Sequence, residues 1–158
     1  MDSDCKFDIV KKKFLHIICN KNSPGIKLKN LRVKNNVTLS QLAKYTGISS
    51  KTLQRIENDK VKKPYYYWKK ICDYFGINHI DYLELLTLPE KTIQEKLIKI
   101  RALLGARTWK EVAEYLGYSK EFVSDLLTRY TPNKKHLYII NNTLNNLKNN
   151  ALKNGGKF

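Results

Sequence analysis

Apolar residues recur along the chain at helical intervals, in short blocks separated by Gly, Pro and Asn. Phe7, Val10, Phe14, Ile17 and Ile18 predict an amphipathic helix over residues 6–20, and Asn22-Ser23-Pro24-Gly25 breaks it. Ile26, Leu28, Leu31 and Val33 predict a second helix ending at Asn35-Asn36. Thr38 followed by Gln41 has the capping-box pattern and starts a short helix through Tyr45, with Leu42 and Ala43 inward. Gly47 supplies a turn, and Ser49 is a good N-cap for a further short helix with Leu53 and Ile56 inward. A basic loop over residues 59–64 leads to a helix over 65–76, which offers Tyr66, Trp68, Ile71 and Phe75 for burial and stops at Gly76. A short piece around Ile80 to Leu86 closes this unit.

Leu88-Pro89 marks a boundary, after which the order repeats. A helix from Thr92 to Leu104 ends at Gly105, and Thr108 with Glu111 forms a second capping box. Thr38 and Thr108, Ala43 and Ala113, Tyr45 and Tyr115, Gly47 and Gly117, and Ser49 and Ser119 all share an offset of 70 residues. This is the signature of an internally duplicated three-helix unit. A last helix from about Lys134 carries Leu137, Ile140, Leu144, Leu147 and Ala151 at the spacing of a coiled-coil seam. Such a seam can pack on its own domain or pair between chains. The expected fold is all-α, with two tandem helix-turn-helix units and extra N- and C-terminal helices. The expected segments are an N-terminal helix and linker (1–25), a first unit (26–88) and a second unit with the C-terminal helix (89–158).

Charge changes this picture from architecture to partner. The 158 residues carry 30 Lys and Arg against 14 Asp and Glu, a net charge of +16. The excess is uneven: residues 1–72 hold 17 basic and 5 acidic residues, residues 73–130 hold 8 and 9, and residues 131–158 hold 5 and none. A polyanion site therefore belongs to the first half, as nucleic acid or an anionic surface would require. No apolar run approaches the roughly 18 residues of a membrane span. The Phe14–Cys19 run is too short for a signal sequence. Cys5, Cys19 and Cys72 are odd in number and lack metal-site spacing, which fits reduced thiols and a cytoplasmic location. His16, His79 and His136 lie apart, with no second ligand type beside them. No metal or cofactor motif and no catalytic constellation is evident, and the exposed pair Glu111 and Glu114 reads as solvating. The chain is expected not to be an enzyme.

The segment GISSKTLQRIEN, Gly47 to Asn58, decides among polyanions. Two short helices joined by a glycine turn make a helix-turn-helix, whose second helix enters the DNA major groove. Ile48, Leu53 and Ile56 would lock the pair, leaving Ser50, Lys51, Gln54 and Arg55 outward. Residues from about Ile26 to Leu86 resemble the Cro and phage-repressor family, also called the xenobiotic-response-element family. The likeness rests on Thr38, Leu42-Ala43, Gly47-Ile48-Ser49, Arg55-Ile56-Glu57-Asn58, Lys60 and Pro64. It implies a five-helix DNA-binding domain with base reading by Ser50, Lys51 and Arg55. It implies phosphate contacts near Thr38 and Ser49 and in the loop with Lys60, Lys62 and Lys63. It also implies a structural salt bridge between Arg32 and Glu57. The chain departs from the family in having Leu39 where Gln is usual and Asp59 where Gly is usual.

The Tyr65-Tyr66-Tyr67-Trp68 run could stack on single-stranded bases. On a helix, however, at most two of these residues share a face. Trp68 and one Tyr are expected in the core, with another Tyr near a phosphate. The second copy, at about 92–130, offers Lys120, Glu121, Ser124 and Asp125 outward, and Asp125 stands where Arg55 stands in the first. A carboxylate there either accepts from cytosine or belongs to a packing, dimer or partner surface. The expected function is a sequence-specific double-stranded DNA-binding transcriptional regulator of bacterial, phage or mobile-element type, acting as a homodimer at the nucleoid. A phage-type inhibitor or adaptor that binds a protein through residues 89–158, and a nucleoid-associated structural binder, are the alternatives.

Overall fold

The computed structural model describes residues 23–61 and 65–154. These residues form nine α-helices and one 3-10 turn, with no strand among them. The helix expected over 6–20 lies outside the described residues. Packing divides the chain into two compact units, residues 1–64 and 65–158.

The first unit holds α1 (Pro24–Lys34), α2 (Leu39–Thr46) and α3 (Ser50–Glu57). The stretch expected as a break is in fact the start of α1. Ser23 accepts the Ile26 N–H, and Pro24 takes the first helical position, where a missing N–H and a fixed φ carry no penalty. Leu28 is fully buried, whereas Val33 is 57% exposed, so the inward face is narrower than the apolar pattern implied. Thr38 and Gln41 form a reciprocal capping box at α2. Ser49 accepts the Thr52 N–H at α3. Leu42, Ile48, Leu53 and Ile56 are buried, and α3 packs against both α1 and α2.

The second unit begins with α4 (Tyr65–Phe75) and α5 (His79–Tyr82), followed by a 3-10 turn over Leu85–Thr87. It continues through α6 (Ile93–Leu104), α7 (Trp109–Leu116), α8 (Lys120–Thr128) and α9 (Lys134–Asn154). The Leu88-Pro89 boundary expected from sequence therefore falls inside this unit. The reason is visible in the packing. Leu85 joins Leu97, Ile100, Leu103, Val112, Leu126, Ile140 and Leu144 in one core. The buried Lys99 ammonium then clamps the following segment, donating to the carbonyls of Leu86 and Leu88, each at 2.8 Å, and pairing with Glu90 at 3.1 Å. Lys148 reaches the same carboxylate at 2.8 Å. Lys148 and Lys99 together hold the Glu90 carboxyl below its usual range.

The seam of α9 packs within this unit. Ile140 and Leu144 are buried in the core, and Leu147 packs against it. Of the aromatic run, only Trp68 is buried, at 3% exposure, with its ring 5.8 Å from that of Tyr82. Tyr65, Tyr66 and Tyr67 are half-buried, and of the three Tyr65 packs against the core, at its edge rather than inside it as expected. Helical geometry turns Trp68, Ile71 and Cys72 inward together and leaves the tyrosines at the margin. Burial pushes the Cys72 thiol up to about 12, which makes it a packing residue rather than a nucleophile.

His79 is 7% exposed, and its Nε2 lies 3.3 Å from the Ala102 carbonyl oxygen. Burial holds its pKa below the usual imidazole value, an effect partly offset by that backbone bond. The unfolded chain therefore takes up this proton first. Stability is present in full above the unfolded pKa of about 6.5 and is lost as pH falls below it. The melting temperature should drop between about pH 7 and pH 5, and it should drop less in His79→Gln. An equal fall in both proteins would assign the acid sensitivity to other groups.

Candidate nucleic-acid interface

The α2–α3 junction is built from Gly47 and Thr46. Gly47 sits at φ 69, a left-handed conformation that a residue without Cβ adopts cheaply. The buried Thr46 hydroxyl donates to the Leu42 carbonyl at 2.7 Å and accepts the Ile48 N–H at 3.3 Å. Ile48 is thereby anchored inward and the entry to α3 is set. Leu53 and Ile56 then face the interior. Lys51, Gln54 and Arg55 are exposed, and Ser50 is half-exposed. Lys51 and Arg55 stand four residues apart and share one outward face. Ser49 and Thr38 are exposed at the two helix starts, each with its hydroxyl accepting a cap N–H. Lys60 is exposed just past α3, while Lys62 and Lys63 lie outside the described residues.

The far end of α3 is held to α1 at two points. Arg32 Nε donates to Glu57 Oε1 at 2.6 Å, and Nη2 donates to Oε2 at 3.2 Å. Nη1 donates to the Val37 carbonyl at 2.9 Å, so all three guanidinium nitrogens are engaged. Hydrogen bonding to Glu57 raises the Arg32 pKa against the opposing effect of burial. The second point is Asp59, at φ 53, whose Oδ1 accepts the Gly25 N–H at 2.9 Å. A Cβ on Gly25 would lie 2.5 Å from the Ile56 carbonyl oxygen and 2.6 Å from that of Glu57. The first turn of α1 thus rests directly on the backbone ending α3. The sequence marked Asp59 only as a departure from the family's usual Gly, and Gly25 only as part of a break. The available signal was a Gly just inside a Pro-started helix, paired with a carboxylate just past α3.

Leu39 opens α2, where the family resemblance called for Gln. The nearby Gln41 carboxamide accepts the Thr38 N–H at 2.8 Å, so its oxygen is committed to the cap.

The second unit repeats the helix pair. Thr108 accepts the Glu111 N–H, Gly117 lies at φ 74, and Ser119 accepts the Phe122 N–H. The capping box expected at Thr108 is shifted by one residue, because Glu111 Oε2 accepts from the Arg107 N–H at 3.0 Å. Lys120, Glu121 and Ser124 are exposed on α8, with Asp125 half-exposed beside them. The Asp125 carboxylate is held by Arg129 one turn on, at 3.0 Å from both Nε and Nη2. Phe122 packs edge-on against Tyr118 and Tyr130 and lies against His136 of α9, whose Nδ1 is 2.9 Å from the Tyr118 hydroxyl. The two pairs share backbone geometry, but the second presents mixed charge where the first presents cations.

Residues 28–83 match the model of the family described as Helix-turn-helix. This segment is a helix-turn-helix domain of the Cro and phage-repressor type. The family is one of DNA-binding domains. The match runs from α1 through α5 and so continues past the packing break at Pro64; it does not extend to the second helix pair. No curated protein and no solved structure matches the chain. Among the described residues, no helix is long and apolar enough to cross a membrane.

The α1–α3 junction can be tested by two substitutions. Asp59→Gly relieves the left-handed φ but removes a charge-assisted hydrogen bond, and the bond is the larger effect at about 1.5–3 kcal/mol. Denaturant unfolding should show a net loss of about 1 kcal/mol, and equal or greater stability would reverse that ranking. Gly25→Ala should cost more, about 2–3 kcal/mol, because backbone rather than a flexible side chain must yield.

Proposed function

We propose that the protein is a sequence-specific double-stranded DNA-binding transcriptional regulator of bacterial, phage or mobile-element type. In this reading α3 enters the major groove. Lys51 and Arg55 donate to base edges, and Ser50 and Gln54 supply shorter polar contacts. Thr38, Ser49, Lys60, Lys62 and Lys63 hold phosphates that set the register. The observation that carries the reading is the outward cationic face of α3, held by the Arg32–Glu57 fork at one end and the Gly47 turn at the other. The only acidic residue of α3, Glu57, is engaged by Arg32, so no free carboxylate opposes phosphate on that helix.

A second reading gives the α7–α8 pair a protein-binding role, as in a phage-type inhibitor or adaptor acting through residues 89–158. Support comes from Asp125, which its pairing with Arg129 draws away from base reading, and from Glu121 beside it. Homodimerisation on a two-fold operator remains part of the proposal, through a surface other than the α9 seam residues buried in their own unit. The cytoplasm, at the nucleoid, is the location this function requires.

Selection of bound sequences from a random duplex library tests the reading directly. A consensus should emerge; recovery of unselected sequence would favour a structural nucleoid binder. On the selected site, Lys51→Ala and Arg55→Ala should each cost about 1–3 kcal/mol and relax base choice at one position. Equal losses on selected and random duplexes would remove both residues from base reading.

A further inference from the structure

The chemistry of α9 differs from that of the other helices in its unit. Its 21 residues include four lysines and no carboxylate, whereas every other α-helix of the second unit carries at least one. Packing sorts its polar residues into two sets. On the inner side Asn141 accepts from the Lys96 ammonium at 2.6 Å, and Lys148 is held by Glu90 at 2.8 Å. These bonds accompany the buried Ile140, Leu144 and Ala151. On the outer side Lys134, Lys135, Tyr138, Asn142, Asn145, Asn149 and Lys153 are exposed. Among the described residues, their side chains take part in no hydrogen bond or ion pair.

Tyr138, Asn142, Asn145 and Asn149 follow one another at intervals of four, three and four residues, so they form one stripe with lysine at each end. Three kinds of surface could cover it. An anionic membrane calls for an apolar sector that enters the acyl boundary, and the middle of this stripe is asparagine. A second copy of α9 would place asparagines in the seam, where they cost stability. It would also add lysines to lysines with no carboxylate on either helix to pair them. The phosphate backbone of nucleic acid suits both features: lysine neutralises phosphate, and an asparagine amide N–H donates to its oxygens. The helix is about 30 Å long, close to one turn of duplex DNA at about 34 Å.

We propose that the outward face of α9 is a second DNA contact, one that lies on the phosphate backbone and reads no bases. Lys134, Lys135 and Lys153 supply the charge, and Asn142, Asn145 and Asn149 donate hydrogen bonds between them. The inference rests on the reading that the chain binds duplex DNA. It gives the second unit a part in that binding through α9 rather than through α8.

The full chain tests it. Wild type, the triple variant Lys134→Gln/Lys135→Gln/Lys153→Gln, the charge-conserving change of the same three lysines to Arg, and Asn145→Lys are compared on selected and random duplexes. Affinity is measured from about 50 to 200 mM salt, the range over which phosphate contacts weaken most visibly. The log–log salt slope should become shallower by about 0.9 for each lysine lost, stay at the wild-type value with Arg, and steepen by about 0.9 in Asn145→Lys. The fractional change should be the same on both duplexes. The sites are exposed, and Gln and Lys have similar helix propensity, so the triple variant should melt as wild type does. If it melts early, Asn145→Lys alone decides, because misfolding does not produce a gain. A wild-type slope in both the triple variant and Asn145→Lys would overturn the proposal, while leaving intact a reading in which Lys51→Ala still weakens binding. Changes confined to the selected duplex would overturn it in favour of base reading. Sedimentation showing a wild-type dimer that Asn145→Lys dissociates would overturn it in favour of pairing between chains. A wild-type duplex slope in the triple variant, combined with lost binding to phosphatidylserine vesicles, would overturn it in favour of a membrane surface. Absence of any duplex affinity in the wild type would sink this inference and the underlying reading together.

Discussion

The first unit depends on one junction, where the end of α3 meets α1. A helix of eight residues has little stability of its own, since nucleation is costly and few hydrogen bonds repay it. Its orientation must therefore come from outside. Leu53 and Ile56 bury one face, but apolar contact alone allows sliding and rotation. The Arg32–Glu57 fork removes that freedom because two parallel hydrogen bonds fix direction as well as distance. Asp59 on the Gly25 N–H adds a second fixed point two residues later. The fork is not a large net source of stability, since it desolvates two charges. The combined effect of the fork and the Asp59 bond is to decide which way Lys51 and Arg55 point.

The second unit reaches similar helix geometry under different constraints. Its helix pair lies over a core that draws on five elements, from Leu85 to Leu144. The long α9 covers that core with the seam that could otherwise have joined two chains. Lys99 shows how tightly the approach to α6 is specified: an ammonium with 2% exposure is tolerated because two carbonyls and Glu90 surround it. With α7 and α8 thus fixed, their outward residues are free to diverge. Asp125 and Glu121 occupy the positions that Arg55 and Lys51 occupy in the first unit, so similar backbone geometry presents mixed charge in place of cations.

Much of this was legible because it rests on local rules. Thr38 with Gln41, Gly47, Ser49 and their counterparts 70 residues on act within one turn of chain, so helix starts and stops could be placed from spacing alone. The outward face of α3 was legible for a related reason: once Leu53 and Ile56 face inward, helical geometry directs Lys51, Gln54 and Arg55 outward. The capping box at Thr108 was less secure, because the Glu111 carboxylate can reach either of two adjacent N–H groups and the local pattern does not choose between them.

What tertiary structure alone decided was every choice between equivalent partners distant in sequence. The apolar residues of the 3-10 turn were plain, but not that Leu85 would join the core of α6 to α9. The seam of α9 was plain, but periodicity is identical whether its partner is α6 or a second chain. Gly25 and Asp59 are 34 residues apart, and nothing local to either reveals a shared hydrogen bond. Lys69 and Gly105 are likewise distant in sequence, yet the Lys69 stem packs where a Cβ on Gly105 would stand. Sequence by itself determined the helices, their caps and the cationic face of α3, because those follow from interactions within a few residues. The partners of each buried face were decided by the competition among all faces at once, and that competition is settled only when the chain is packed.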